Sequence, residues 1–105
     1  MEKLSDIKLS RAEAIKILKD HEADLKRIGV RSLYMFGSTA IDEAEPTSDV
    51  DLFFDHERGK FSLFDLMDAE ELASIILGRK ADIMTRGSLH PVLRRRIEAS
   101  AVRVF

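Results

Sequence analysis

The hydrophobic positions of the N-terminal third follow a helical period. Ser10 and Glu13 have the spacing of a capping box, and Leu18 and Leu25 recur on one face after it. Gly29 then supplies a stop signal. The pattern predicts a single first helix of about five turns that ends at Gly29.

Four short segments have the composition of strands, with β-branched and aromatic residues between turn signals. They are residues Val30 to Phe36, Asp49 to Phe54, Ala81 to Thr85, and Val102 to Phe105, the last as an edge strand. The segment between the first two, Thr39 to Ser48, is small, polar and acidic. It predicts a loop, with room for one short helical turn at its start.

Two further helices complete the pattern. Ser62 is placed to cap a long helix that ends at Gly78, and Pro91 suits the first turn of a last helix. We predict that the inner face of the long helix carries Leu63, Leu66, Met67, Leu72 and Ile75 or Ile76. The simplest prediction for Phe53, Phe54, Phe61 and Phe64 is that they join the core, with a partner-facing surface as the alternative for Phe61 and Phe64. Alternating helices and strands indicate an α/β (α+β) fold, a small mixed sheet flanked by helices, in one domain over residues 1–105.

Composition narrows the class of protein. The chain has 105 residues, no cysteine and a formal net charge of −2, which argues against nucleic acid as the main partner. No apolar run approaches the ~20 residues needed to cross a membrane. Met1 to Ser10 is mixed and charged, unlike a signal peptide. We therefore expect a cytoplasmic protein without a membrane partner.

The candidate chemistry lies in Gly37-Ser38, followed after ten residues by Asp49-Val50-Asp51. Side chains two apart in a strand project from the same face, so Asp49 and Asp51 should point together. Two close carboxylates stay ionised only beside positive charge, and Mg²⁺ combines carboxylates with substrate phosphates. The pair predicts a metal site.

Two other features extend this site. Gly37 allows the backbone to approach a phosphate closely, and the Ser38 hydroxyl can add a hydrogen bond. Asp82 lies in the third predicted strand, just before the apolar pair Ile83-Met84, and can serve as general base if that strand neighbours the second. Together these residues predict metal-assisted phosphoryl or nucleotidyl transfer.

The spacing Gly-Ser, ten residues, Asp-x-Asp resembles the signature of the polymerase-beta-type nucleotidyltransferase superfamily. The contexts Leu33 to Ser38 and Ser48 to Phe54 are similar to its smallest branch, the minimal nucleotidyltransferases (MNT). The preceding helix, the helix and strand that carry Asp82, and the ending Leu93 to Val102 also match this branch in position.

The resemblance implies a two-metal, Mg²⁺-dependent transfer of AMP from ATP, or of another nucleoside monophosphate from its triphosphate, to a hydroxyl on a partner protein. It implies that Gly37 and Ser38 bind the triphosphate, and that Asp49, Asp51 and Asp82 are catalytic and bind the metals. It also implies a small helical HEPN-domain partner, for which this chain would be the antitoxin. A domain of 105 residues has too little surface to enclose both a nucleotide and an acceptor, so we also expect a hetero- or homo-oligomer.

One segment departs from the branch and keeps alternatives open. Where the branch commonly has Arg-Ala-Arg-Gly after Gly-Ser, this chain has Thr39-Ala40-Ile41-Asp42. An antitoxin that acts by contact alone is therefore the alternative function, unless Arg86 or the run Arg94 to Arg96 supplies the missing charge. A third possibility, an unrelated α/β domain, predicts that the three aspartates do not cluster.

Overall fold

The structure, a computed structural model, describes residues 8–105 and contains a four-stranded sheet with helices. Residues 1–7, part of the segment in which we expect no signal peptide, lie outside the described residues. In chain order the elements are α1 (Arg11–Asp20), α2 (Glu22–Ile28), β1 (Val30–Phe36), α3 (Gly37–Ala40), β2 (Val50–His56), α4 (Leu63–Leu77), β3 (Ala81–Thr85), a 3-10 turn (Arg86–Ser88), α5 (Arg94–Ser100) and β4 (Val102–Arg103).

The strands lie in the order β3-β2-β1-β4, so the predicted mixed sheet and its final edge strand are confirmed. β1 pairs antiparallel with both β2 and β4, whereas β2 and β3 are parallel. Alternation along β1 gives the sheet two different faces. Leu33 and Met35 join the core beneath α1, α2 and α4, while Tyr34 on the opposite face stacks on Phe53 with ring centroids 4.9 Å apart.

The predicted first helix is wrong in one respect, because the chain breaks it into α1 and α2 at His21. The capping box of Ser10 and Glu13 forms as expected. At the break, the His21 backbone N–H donates to the Leu18 carbonyl at 3.2 Å, one residue short of the helical partner. The His21 ring Nδ1 lies 2.9 Å from the Ile17 carbonyl instead, so the imidazole replaces the lost backbone donor.

Helix α4 forms between the predicted caps, with a capping box of Ser62 and Asp65 and a left-handed Gly78 at its end. Its predicted inner face is only partly right. Leu66, Leu72 and Ile76 do pack on the core, but its fully buried residues are Ala69, Ala73 and Leu77. Leu63 and Met67 were predicted to point inward but face solvent, and Phe64 is exposed and does not join the core. Of the alternatives Ile75 and Ile76, Ile76 is the one that packs inward.

Small side chains explain this arrangement. α4 packs against α1, α2 and β3 at once, and alanine at the contact lets helix and sheet backbones approach closely. Larger residues are therefore displaced to the outside. The last helix also starts later than predicted, at Arg94 instead of near Pro91. No helix within residues 8–105 is long and apolar enough to cross a bilayer.

Candidate active site

The pairing of three strands sets Asp51 at the centre of the candidate site. Asp51 lies opposite Phe36, the last residue of β1, and opposite Asp82 of β3. Alternation puts Asp51 on the same side as Phe53, away from the three packed helices. Asp51 and Asp82 are therefore register neighbours on the open face of the sheet, next to the turn that follows β1.

That turn begins with Gly37, which the Asp51 carboxylate approaches closely. Gly37 has φ +73, in the left-handed region, and a Cβ built on it would lie 2.3 Å from Asp51 Oδ2. No side chain can occupy that space unless the carboxylate moves. Glycine is thus required here twice, by the backbone conformation and by the contact with Asp51.

The short helix α3 holds Ser38 beside this contact. The Ser38 carbonyl accepts a hydrogen bond from the Glu43 N–H at 2.8 Å, which closes the turn. Thr39 is buried, and Asp42 has φ +61, the conformation that suits the glycine found at this place in the related branch. Asp42 also accepts a hydrogen bond from the Arg11 N–H at 2.9 Å, so this acid caps α1.

Asp49 stands just before β2 and is more exposed than Asp51. The pKa of Asp51 is raised, first by burial and then by the negative charges of Asp82 and Asp49. Both Asp49 and Asp82 therefore lie close enough to Asp51 to act on it electrostatically. This proximity is not what the third sequence-based possibility, an unrelated domain whose aspartates lie apart, predicts.

The donor chemistry of the cluster fits a divalent cation. Carboxylate oxygens are the ligands Mg²⁺ prefers, and a cation would relieve the repulsion that disfavours ionised Asp51. Across residues 8–105, no three acidic or histidine side chains form a ready cage for an ion. One or two carboxylates completed by substrate phosphates and water is, however, the usual Mg²⁺ arrangement.

Arg86 does not supply the positive charge that the segment after Ser38 lacks. Its guanidinium donates two hydrogen bonds to Asp55, at 2.8 and 3.0 Å, and a third to Glu98. It also lies over the rings of Tyr34 and Phe53, 4.8 and 5.0 Å from their centroids. Arg86 instead fastens α5 to the open face of the sheet.

Sequence reasoning missed one basic residue at the site. Lys80 Nζ lies 3.9 Å from Asp49 Oδ2, with 68% of the lysine side chain exposed. Its position two residues before Asp82 was the available signal. A cleft of about 850 Å³, lined by residues such as Gly29, Arg31 and Lys60, lies at the other end of β1 and contains none of the aspartates.

Comparisons with known proteins show which family this chain matches. A family model described as a nucleotidyltransferase domain matches residues 12–104. A candidate protein adenylyltransferase of Methanocaldococcus jannaschii is 36% identical over 104 residues, which span 97% of this chain and 98% of that protein. The protein adenylyltransferase MntA of Thermococcus cleftensis is 37% identical over 82 residues, 77% of this chain and 82% of its own.

Solved structures share the fold. A candidate minimal nucleotidyltransferase is 26% identical and superposes with a TM-score of 0.78 over 90% of this chain and 95% of its own. A chain from a toxin–antitoxin complex with AMP-PNP, at 18% identity, has a TM-score of 0.65 over 92% of this chain and 73% of its own. At that identity the second likeness concerns the fold alone.

Proposed function

The chain belongs to the nucleotidyltransferase domain family, in its minimal branch, and from this premise we propose that it transfers AMP from ATP to a hydroxyl group on a partner protein. The donor and acceptor classes are supported by relatives named as protein adenylyltransferases. The observation that carries the proposal is the position of Asp51, in contact with the Gly37 turn and in register with Asp82.

In the proposed reaction, the acceptor oxygen bonds to the α-phosphorus as the bond from that phosphorus to the bridging oxygen breaks. Pyrophosphate leaves with the electron pair, and the hydroxyl proton passes to a carboxylate. Asp82 suits this role because it is exposed on the open face beside Asp51. Gly37 and Ser38 present the turn that faces the triphosphate.

Asp49 and Asp51, with Asp82, are the residues that would hold Mg²⁺ in this proposal. The bound ion would neutralise charge on the phosphates and lower the barrier to nucleophilic attack. Asp51 occupies the central place because both neighbouring acids raise its pKa. We propose a cytoplasmic location, because ATP is the proposed donor.

The test follows the α- and γ-phosphates of ATP separately. The chain is incubated with Mg²⁺, the protein product of the adjacent open reading frame (the neighbour) as the candidate helical partner, and ATP labelled at either the α- or the γ-phosphate. We expect the α-label, but not the γ-label, to become covalently attached to the neighbour. Transfer of the γ-label would indicate a kinase instead. Protection of cells without any transfer would favour the alternative, neutralisation by contact alone.

The outer face of α4 supports a protein acceptor. Leu63, Phe64, Met67 and Ile75 are 70%, 76%, 57% and 67% exposed, although large apolar side chains usually find cover. Four acids and no Lys or Arg occur within α4, and Asp68, Glu70 and Glu71 are exposed around the apolar residues. We propose that this face docks a helix of the partner with an apolar stripe and basic flanks.

Docking through α4 predicts a selective loss of partner binding. Changing Phe64→Ser and Ile75→Ser together should weaken the complex with the neighbour protein at least about thirtyfold, because buried apolar anchors dominate interface energies. ATP binding should stay unchanged. Titration calorimetry measures both, with Val92→Ser, which is 80% exposed outside α4, as the control.

Two results would contradict this surface. A double variant that binds the neighbour as tightly as the wild type would exclude α4 from the interface. If the double variant binds the neighbour normally but changes the oligomeric state of the chain on its own, α4 contacts a second copy of this chain instead. In a contact between two copies, the acids of α4 would face one another and repel. Charge complementarity therefore favours a partner with basic residues over a second copy.

A further inference from the structure

The negative charge of the candidate site exceeds the positive charge of the side chains around it. Asp49, Asp51 and Asp82 together contribute up to three negative charges, and ATP would add several more. A nucleotide can remain there only if positive charge is supplied close by. Basic side chains near the aspartates are the candidates to supply that positive charge.

Most nearby basic side chains are already committed. Arg86 is held by Asp55 and Glu98, and Arg94 Nε donates to Glu98 at 3.2 Å. Arg11 donates to the Ala40 carbonyl at 3.3 Å, at the end of α3 away from Gly37. Lys80, by contrast, contacts a carboxylate of the cluster directly, through Asp49.

Backbone hydrogen bonding fixes the position of the Lys80 main chain. Its carbonyl accepts a hydrogen bond from the Val50 N–H at 3.0 Å, and Val50 separates Asp49 from Asp51. Alternation from Asp82, two residues on, directs Lys80 toward the open face of the sheet. Its Cα is thus anchored at the rim of the carboxylate cluster, while its ammonium group extends into solvent.

We propose that Lys80 binds the polyphosphate tail of the nucleoside triphosphate, the part beyond the α-phosphate. This inference rests on the proposed function, since it assigns a substrate contact within the same site. Its ligand class is a nucleoside di- or triphosphate, and its partner in the absence of nucleotide is Asp49.

The contact with Asp49 is of a kind that exchanges easily. At 3.9 Å, with the side chains of Lys80 and Asp49 68% and 46% exposed, it is a long, solvated ion pair. Such pairs contribute little stability, so Lys80 can leave Asp49 at small cost. Lysine carries a compact charge on a flexible stem, which lets it follow phosphate oxygens through a swing of several ångströms.

A matched control exists at the opposite end of β2. Lys60 pairs with Glu57 at 3.4 Å and is 71% exposed, close to the values for Lys80. It follows β2, whereas Lys80 lies beside the start of β2, so about 20 Å of strand separates them. Lys60→Ala removes the same charge and a similar surface pair without touching the site.

The experiment measures equilibrium binding of ATP, AMP and Mn²⁺ to the full chain by calorimetry. Lys80→Ala should weaken ATP binding at least about tenfold, because it removes a charge-assisted contact. AMP binding should be unchanged. Mn²⁺ binding without nucleotide should be unchanged or up to about threefold tighter, since Asp49 loses a competing cation. Lys80→Arg should retain most of the ATP affinity, and Lys60→Ala should match the wild type.

Several results would overturn the assignment. Unaltered ATP affinity in Lys80→Ala would remove Lys80 from the substrate site, and equal losses for AMP and ATP would exclude a contact with the tail. A parallel loss of Mn²⁺ binding would show that Lys80 merely positions Asp49. If the wild type and Lys60→Ala also fail to bind ATP, the proposed function itself fails, a result distinct from a defect confined to Lys80→Ala.

Discussion

Asp51→Asn is expected to slow AMP transfer at least about 1,000-fold while raising the melting temperature. The loss of rate follows from the central carboxylate, because charge stabilisation of a phosphoryl transition state is worth several kcal/mol and each 1.4 kcal/mol is tenfold. The gain in stability follows from the raised pKa of Asp51, which shows that its ionised form is disfavoured in the fold. Transfer of α-label and thermal unfolding measure the two effects.

The pH dependence of unfolding separates this explanation from a packing effect. Because the folded protein holds a proton on Asp51 more tightly than the unfolded chain, wild-type stability falls as pH rises from 3.8 through the raised pKa of Asp51. The stability advantage of Asp51→Asn should therefore be full at neutral pH and vanish below 3.8. Asp20→Asn, a surface acid paired with Lys16, is the control. An advantage that persists at low pH would contradict the electrostatic account.

Gly37→Ala should damage both the fold and the reaction. A left-handed conformation costs a residue with a Cβ roughly 1–2 kcal/mol, and the new Cβ would lie 2.3 Å from Asp51 Oδ2. The carboxylate must then move, and a displacement of about 1 Å at a catalytic group can cost roughly 100-fold in rate. We expect a loss of at least about 2 kcal/mol in unfolding free energy and of about 100-fold or more in AMP transfer.

Gly59→Ala isolates the conformational part of that loss. Gly59 has φ +78, but nothing lies within 4 Å of an added Cβ. Its replacement should cost about 1–2 kcal/mol of stability and leave transfer intact. In an Asp51→Ala background, Gly37→Ala should cost no more than Gly59→Ala, since the clashing carboxylate is gone. If Gly37→Ala lowers the unfolding free energy equally with and without the Asp51 carboxylate, the clash with that carboxylate is not the cause of the loss.

Local signals in the sequence predicted much of this structure. The caps at Ser10, Ser62 and Gly78 depend on residues within one turn, so they could be read directly. The four strands formed where β-rich segments lay between turns. The position of Asp82 beside Asp51 required only that β3 pair with β2, a condition that the sequence left open and the structure fulfils.

What could not be predicted depends on contacts distant in sequence. α4 is apolar over most of its surface, so hydrophobicity alone could not decide between its alanine face and its Leu63 to Ile75 face. The sequence made Arg86 a candidate phosphate ligand, because its partner Asp55 lies on the neighbouring strand and is distant from it in sequence. Lys80 was overlooked because its importance comes from its contact with Asp49, which is distant from it in sequence.

The parallel pairing of β2 and β3 has a consequence for how the site is held together. Parallel neighbours cannot be joined by a tight turn, so the chain reaches Asp82 only by passing through α4. Whatever holds α4 on the sheet therefore also keeps Asp82 next to Asp51. Any effect of a partner bound to the outer face of α4 on nucleotide affinity would then be matched by an equal effect of the nucleotide on partner affinity.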